Sequence, residues 1–395
     1  VNAEPSARIR SRWPVYEEDE IAAVTEVLRS GRVNALHHGD RCRAFEKAFA
    51  ALCEMPQALS VANGTVGLEL ALRTLGIGPG DEVVVPARSF VASAGCVVAC
   101  GAKPVFADVD PVSQNVTAGT IAAVLSTRTR AIIVVHLGGF PCTMDEIGIL
   151  AEQAKLYLIE DCAQAHGATY RDRPVGSFGD AAVFSFCTDK IMSTGGEGGM
   201  LLLRERSQWE RAWSISNHGK NFATANAPAG TSFRWVHDDF GSNYRMTEMQ
   251  AAIGLRQLTK LSGWVADRRR NAATLLEVLD GLSGLRTVHP SPEIGHSYYA
   301  FYAFAVPEQL APGWSRDRII AEMNGADLPC QSGSCPEIYR EQSFRRLGFR
   351  PARRLPTAQV LGETSLKLPV DQTLSGEEMR VMGEILRGIV AEASR

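Results

Sequence analysis

The sequence predicts an α/β chain in which a mainly parallel sheet, covered by helices, is followed by a smaller second domain. Between about residue 59 and residue 205, short β-rich runs alternate with helical patterns, the order that strand, helix, strand crossovers impose on a parallel sheet. After residue 245 the pattern changes to long helical stretches. With 395 residues, 45% of them apolar, the chain can bury a full α/β core and a second, smaller one.

Six runs read as strands: VVVPA (83–87), KPVFADVD (103–110), AIIVVHL (131–137), LYLIED (156–161), AAVFSF (181–186) and GMLLLR (199–204). Between them, Leu68, Leu72 and Leu75 recur at helical spacing, as do Met144, Ile147, Leu150, Ala151 and Ala154, so each helix has one apolar face for the sheet. The long stretches EMQAAIGLRQLTKL and WVADRRRNAATLLEVLDGL end in the turn-rich GLSG at 281–284. They mark the passage between an N-terminal and large domain, residues 1–255, and a small C-terminal domain, residues 256–395. The remainder holds a strand-like SYYAFYAFAV (297–306), a loop-rich stretch with Cys330 and Cys335, and a final helix from about Gly376.

Lys+Arg 41 against Asp+Glu 44 leaves a net charge of -3 without long runs of either sign, which argues against nucleic acid or anionic lipid and for a small-molecule partner. Nine scattered cysteines do not make a disulfide framework and read as reduced thiols. The start, VNAEPSARIRSRWPVYEEDEI, has no apolar leader core, and no run reaches the roughly 18 uncharged apolar residues of a membrane helix. The expectation is a cytoplasmic protein.

The most informative segment is FSFCTDKIMSTGGEGGM (184–200). A lysine is most often a solvated surface residue. Lys190, however, follows the carboxyl end of an apolar strand, where open α/β sheets place their ligands. Thr194, Gly195, Gly196, Gly198 and Gly199 keep bulk away from it. A second strand ends in LIEDCAQAHGA (158–168), with Asp161 at its tip. A carboxylate there can simply cap a helix. Pyridoxal phosphate chemistry gives the pair complementary roles, because a fixed carboxylate keeps the pyridine nitrogen protonated so that the ring draws electrons. In VANGTVGLELALRTLG (61–76), Gly64 and Thr65 open an amphipathic helix whose amides and dipole suit a phosphate, although an ordinary N-cap looks the same.

Other motifs fail on position. GIGPGD (76–81) follows a helix and precedes a strand, the reverse of a dinucleotide fingerprint, and reads as a turn. Cys330 and Cys335 lack a second ligand pair at zinc spacing, so no metal is expected. His37 and His38 read as exposed loop histidines.

In this order the elements resemble the DegT/DnrJ/StrS family of sugar aminotransferases, from about Glu17 to the end. The resemblance is carried by NGTVGLELAL, LGIGPGDEVVVPARSFVAS, GAKPVFADVD, RTRAIIVVHLGG, IEDCAQAHGA, VGSFGDAAVFSF, GEGGM, NHG and NYRMTEMQAAIGL. It implies fold type I: a large domain with a mainly parallel seven-stranded sheet and a smaller α+β domain. It implies that Lys190 bonds to pyridoxal phosphate and later moves a proton, that Asp161 pairs with the ring nitrogen, and that Phe90 stacks on the ring. Gln164 would lie near the phenolic oxygen, Gly64, Thr65 and Ser185 would hold the phosphate, and Asn243 would reach the phosphate of a neighbouring subunit, giving a homodimer with shared sites.

Relatives that dehydrate sugars carry histidine in place of the lysine, so Lys190 implies transamination. The implied reaction moves an amino group from L-glutamate, through pyridoxamine phosphate, to a nucleotide-linked keto-deoxyhexose, at carbon 4 in preference to carbon 3. A cyclitol aminotransferase and a catalytically silent ligand-sensing regulator are the rivals. Two segments depart from the family: QSGSCPEIYREQSF (331–344), where many relatives have Tyr-Pro-Leu-His facing the substrate, and CTD (187–189) before Lys190.

Overall fold

The computed structural model describes residues 9–228, 231 and 233–394; residues 1–8, the beginning of the stretch read as lacking a leader core, lie outside the described residues. The main sheet has seven strands: β1 Gln57–Val61, β2 Glu82–Pro86, β3 Lys103–Ala107, β4 Thr129–Val135, β5 Tyr157–Asp161, β6 Ala181–Ser185 and β7 Gly199–Leu203. Their order is β1, β7, β6, β5, β4, β2, β3. All neighbouring pairs from β6 to β3 are parallel, whereas β7 runs antiparallel to both β6 and β1. Consequently β1, β5 and β6 point the same way, and their carboxyl ends share one edge of the sheet. The six expected strands are all present; β1 is an addition.

Alternation along the strands separates two cores. Ala181 and Val183 of β6 and Leu201 and Leu203 of β7 join a core with Leu68, Leu70 and Leu72 of the helix between β1 and β2. Ala182, Phe184, Met200 and Leu202 join another with Phe45 and Phe49. The helices that frame the two cores are α1 Glu18–Ser30, α2 Asp40–Leu52, α3 Gly64–Thr74, α4 Ala92–Ala99, α5 Met144–Ala154, α6 Arg206–Ser216, α7 Glu248–Leu279 and α8 Gly376–Ala393; other helices, among them Arg316–Gly325 and Pro356–Thr364, lie between them. The two apolar patterns expected to be helical are α3 and α5. The long C-terminal stretches form one helix, α7, of 32 residues, opened by a Thr247–Gln250 capping box and running without a break through Ser262 and Gly263. Residue 255, the expected domain boundary, therefore lies inside α7.

The second half of α7 and the whole of α8 cover a small antiparallel sheet, β8 Leu285–Arg286, β9 Phe301–Ala305 and β10 Ser365–Leu368. Leu275, Leu279, Phe301, Leu366, Met382 and Leu386 meet in its core. All nine cysteines are unpaired. Among the described residues, no helix is long and apolar enough to cross a membrane.

Candidate active site

At the shared carboxyl edge the chain turns from β1 into α3 through Asn63, whose side chain caps the helix by accepting the Val66 N–H at 3.0 Å. The N–H groups of Gly64 and Thr65, at the first two helical positions, have no intrahelical acceptor. Strands β6 and β7 press against this point. A Cβ on Gly64 would come within 2.8 Å of the Ser185 Cβ, and one on Gly199 within 2.6 Å of the Asn63 carbonyl carbon. Both glycines are thus required by close approach. Two free amides, the helix dipole, and the hydroxyls of Thr65 and Ser185 make a cradle for a tetrahedral anion.

Asp161 ends β5 and is 5% exposed. Its carboxylate accepts the Ser93 hydroxyl at 2.8 Å and the Ala163 N–H at 3.1 Å. Ser93 gives its proton to Asp161, so the Ser89 hydroxyl, 2.9 Å away, is the donor to Ser93. Burial pushes the Asp161 carboxyl up, against the opposing pull of Ser93, the Ala163 amide and the charge of Lys190. The neighbouring Glu160 faces the other side of β5. It accepts the N–H groups of Gly176, Phe178 and Gly179, each at 2.8 Å. It also accepts a hydrogen bond from His136 Nε2–H at 3.1 Å, since the Cys142 N–H donates to His136 Nδ1. The strand end that presents Asp161 is therefore pinned from behind.

Lys190 lies in the loop that returns from β6 to β7, where Gly195 (φ 89°) and Gly196 (φ 119°) take left-handed conformations. The Trp13 indole N–H donates to the Lys190 carbonyl at 2.8 Å. Lys190 Nζ donates to Asp189 Oδ2 at 3.1 Å and stands 5.1 Å from the centre of the Tyr299 ring. The Tyr299 hydroxyl donates to the same carboxylate oxygen. Burial would raise the Asp189 carboxyl, but the Lys190 charge and the hydrogen bonds from Tyr299 and Lys190 outweigh it and hold the group below its usual range.

A cavity of about 550 Å³ is lined by Gly64, Thr65, Phe90, Asp161, Gln164, Ser185 and Lys190. These are seven of the eight expected site residues. Asn243 is exposed, paired through its backbone with Asn217, and does not line this cavity. Phe90 is 63% exposed, an aromatic face open to the cavity. Gln164 has its side-chain oxygen fixed by the Gly138 N–H at 2.7 Å, which leaves its NH₂ group as a donor. The divergent 331–344 segment reaches the cavity through Gly333, Ser334 and Cys335, while His37 and His38 do not. Sequence reasoning missed Ser93, Tyr299 and Lys367. Ser93, one helical turn from Ser89, left a weak spacing signal; the other two come from the small sheet region and left none.

These residues fit a flat pyridine aldehyde bearing a phosphate. The cradle matches the phosphate, and the Gln164 amide offers a donor to a phenolic oxygen. Asp161 is a buried carboxylate without a cationic partner within 4.0 Å among the described residues, which a protonated ring nitrogen would supply.

Over residues 14–387 the chain matches the DegT/DnrJ/EryC1/StrS aminotransferase family. A GDP-perosamine synthase of Caulobacter vibrioides is 40% identical over 332 residues, 84% of this chain and 85% of that protein. An L-glutamine:2-deoxy-scyllo-inosose aminotransferase of Streptomyces fradiae is 37% identical over 353 residues, 86% of this chain and 82% of that protein. An aminotransferase from Psychrobacter cryohalolentis, known as a crystal structure, superposes with a TM-score of 0.94 at 44% identity, covering 97% of this chain and 99% of that one.

Proposed function

The chain belongs to the DegT/DnrJ/EryC1/StrS aminotransferase family, and from that premise we propose that it transfers an amino group from L-glutamate to carbon 4 of a nucleotide-linked keto-deoxyhexose. It is a pyridoxal-phosphate-dependent aminotransferase of fold type I. The proposal adds the donor, the acceptor and the roles of individual residues. It also takes the working molecule to be a cytoplasmic homodimer in which Asn243 of one chain serves the site of the other. We assign the cofactor chiefly to residues 1–255 and the acceptor wall to residues 256–395.

When bound, pyridoxal phosphate supplies an aldehyde and an electron-withdrawing ring. The chain does the rest. The cradle of Gly64, Thr65 and Ser185 would hold the phosphate end, Asp161 would keep the proton on the ring nitrogen, and Phe90 would stack on the ring. Lys190 would bond to the aldehyde carbon through its amine, and its Nζ, when free, would carry a proton between the donor's α-carbon and that aldehyde carbon. Asp189 Oδ2, 3.1 Å from that Nζ, keeps the freed amine within the cavity wall.

What supports the reading is the single cavity that Lys190, Asp161 and the cradle line together. The test is the visible absorption spectrum of the purified protein with added L-glutamate and no sugar. A long-wavelength band that shifts to shorter wavelength on adding L-glutamate establishes the first half-reaction; a band that stays unmoved overturns the donor. A panel of 4-keto and 3-keto nucleotide sugars then decides the acceptor. The 37% identity to the inosose aminotransferase favours a second reading, a cyclitol ketone as acceptor. Competition by a nucleoside diphosphate against the acceptor separates the two, since a cyclitol enzyme has no nucleotide to hold.

A further inference from the structure

Lys367 occupies a position in β10 where a charged residue needs a reason. Its neighbours Leu366 and Leu368 are both 0% exposed, and Lys367 itself is half-buried. Its backbone is tied to Gln331 by hydrogen bonds of 2.7 and 3.0 Å. The side chain lines the active-site cavity and also a second cavity of about 540 Å³ beside it. Asp189 and Tyr299 line both as well, so these three residues form the partition between them.

Lys367 Nζ stands 5.1 Å from the centre of the Tyr299 ring. Among the described residues no carboxylate lies within 4.0 Å of it; Asp189, the acid on the same partition, is engaged by Lys190 and Tyr299. An aromatic face is a weak partner for an ammonium, so among the described residues the three N–H donors of Lys367 are left without an acceptor of opposite charge. Lys190 Nζ also stands 5.1 Å from the centre of the Tyr299 ring, and both lysines line the active-site cavity.

We propose that Lys367 recognises the substrate: it receives a carboxylate or phosphate oxygen of a reactant seated in the cavity. The inference rests on the aminotransferase reading, in which the amino donor carries carboxylates and the acceptor carries a diphosphate. Either presents the same oxyanion chemistry to an ammonium.

Glutarate and pyrophosphate serve as probes of the two sources, their binding to the holoenzyme measured by titration calorimetry. Lys367→Met and Lys367→Gln should each weaken one probe on the order of 10-fold, the loss expected for one charge-assisted hydrogen bond, and Lys367→Arg should restore most of it. Loss of glutarate assigns Lys367 to the donor, and there the concentration of L-glutamate needed for half-maximal band conversion should rise more than the limiting rate falls. Loss of pyrophosphate assigns it to the acceptor. Wild type that binds neither probe, or neutral variants that bind both as tightly as wild type, overturn the proposal. The wild-type response to L-glutamate tests the aminotransferase reading separately.

Discussion

Lys190 is held by its surroundings rather than holding them. Its side chain is 15% exposed and makes one ion pair, with Asp189; the loop is fixed instead by backbone bonds, including the Trp13 indole on the Lys190 carbonyl. Lys190→Ala should therefore leave the circular dichroism spectrum unchanged while abolishing turnover, and retained turnover in the purified variant would sink its assignment. Gly199 is the opposite case. An added Cβ would meet the Asn63 carbonyl carbon at 2.6 Å and the Gly64 nitrogen at 2.9 Å, backbone atoms that cannot rotate away. Gly199→Ala should cost about 1–3 kcal/mol by overpacking and weaken pyridoxal phosphate binding by displacing the cradle. Wild-type cofactor affinity in that variant would mean the cradle does not hold the phosphate. Lys190 and Asp161 were legible because each stands within a few residues of a strand end that the local pattern reveals. Tyr299 and Lys367 were not, because only the packing of the small sheet brings them to the site.

Among the elements, the main sheet is fastened at the end away from the site by Glu82, the first residue of β2. It is 3% exposed and accepts from Lys103 of β3 at 3.1 Å, Arg128 at 2.8 Å and the Ser126 hydroxyl at 2.5 Å. Burial alone would raise its carboxyl, but Ser126, Arg128 and Lys103 outweigh it and bring it from the usual 4.5 to about 2. A carboxyl depressed in the folded state stabilises above its unfolded value and loses that contribution as pH falls towards the folded one. Stability owed to Glu82 should thus be complete above about pH 4.5 and vanish near pH 2. Glu82→Gln should cost about 2 kcal/mol at neutral pH and flatten the acid limb of a urea-denaturation series; an unchanged acid limb would show that other carboxylates set it. The interior strands were readable because they are short apolar runs between helical patterns. β1, with its sequence QALSV, carries little β-branched signal and is a strand because β7 supplies its partner. The two long stretches read as helical are joined without interruption through Ser262 and Gly263, because Leu261 and Val265 on either side are buried against the main-sheet core.

At the scale of the whole molecule, one chain brings seven of the eight expected site residues to its cavity and leaves Asn243 exposed outside it. The strand of backbone beside Asn243 is fixed to its own chain, since the Ala62 N–H donates to the Tyr244 carbonyl at 2.8 Å and Val61 pairs with Arg245. Asn243 is thus presented from the edge of the sheet where β1 ends, a rigid position from which to serve a second copy. A single chain's sequence carries no local signal for such an arrangement; only the family resemblance does. In the proposed dimer each site takes Lys190 from one chain and Asn243 from the other. Combining a Lys190→Ala chain with an Asn243→Ala chain then puts both defects into one site and leaves the other intact. Purified mixed dimers should show about half the wild-type rate, and a random one-to-one mixture about a quarter, because half of its dimers are mixed. If Asn243 served its own chain, every site in the mixed dimer would keep one defect, and the rate would not rise above that of the Asn243→Ala parent.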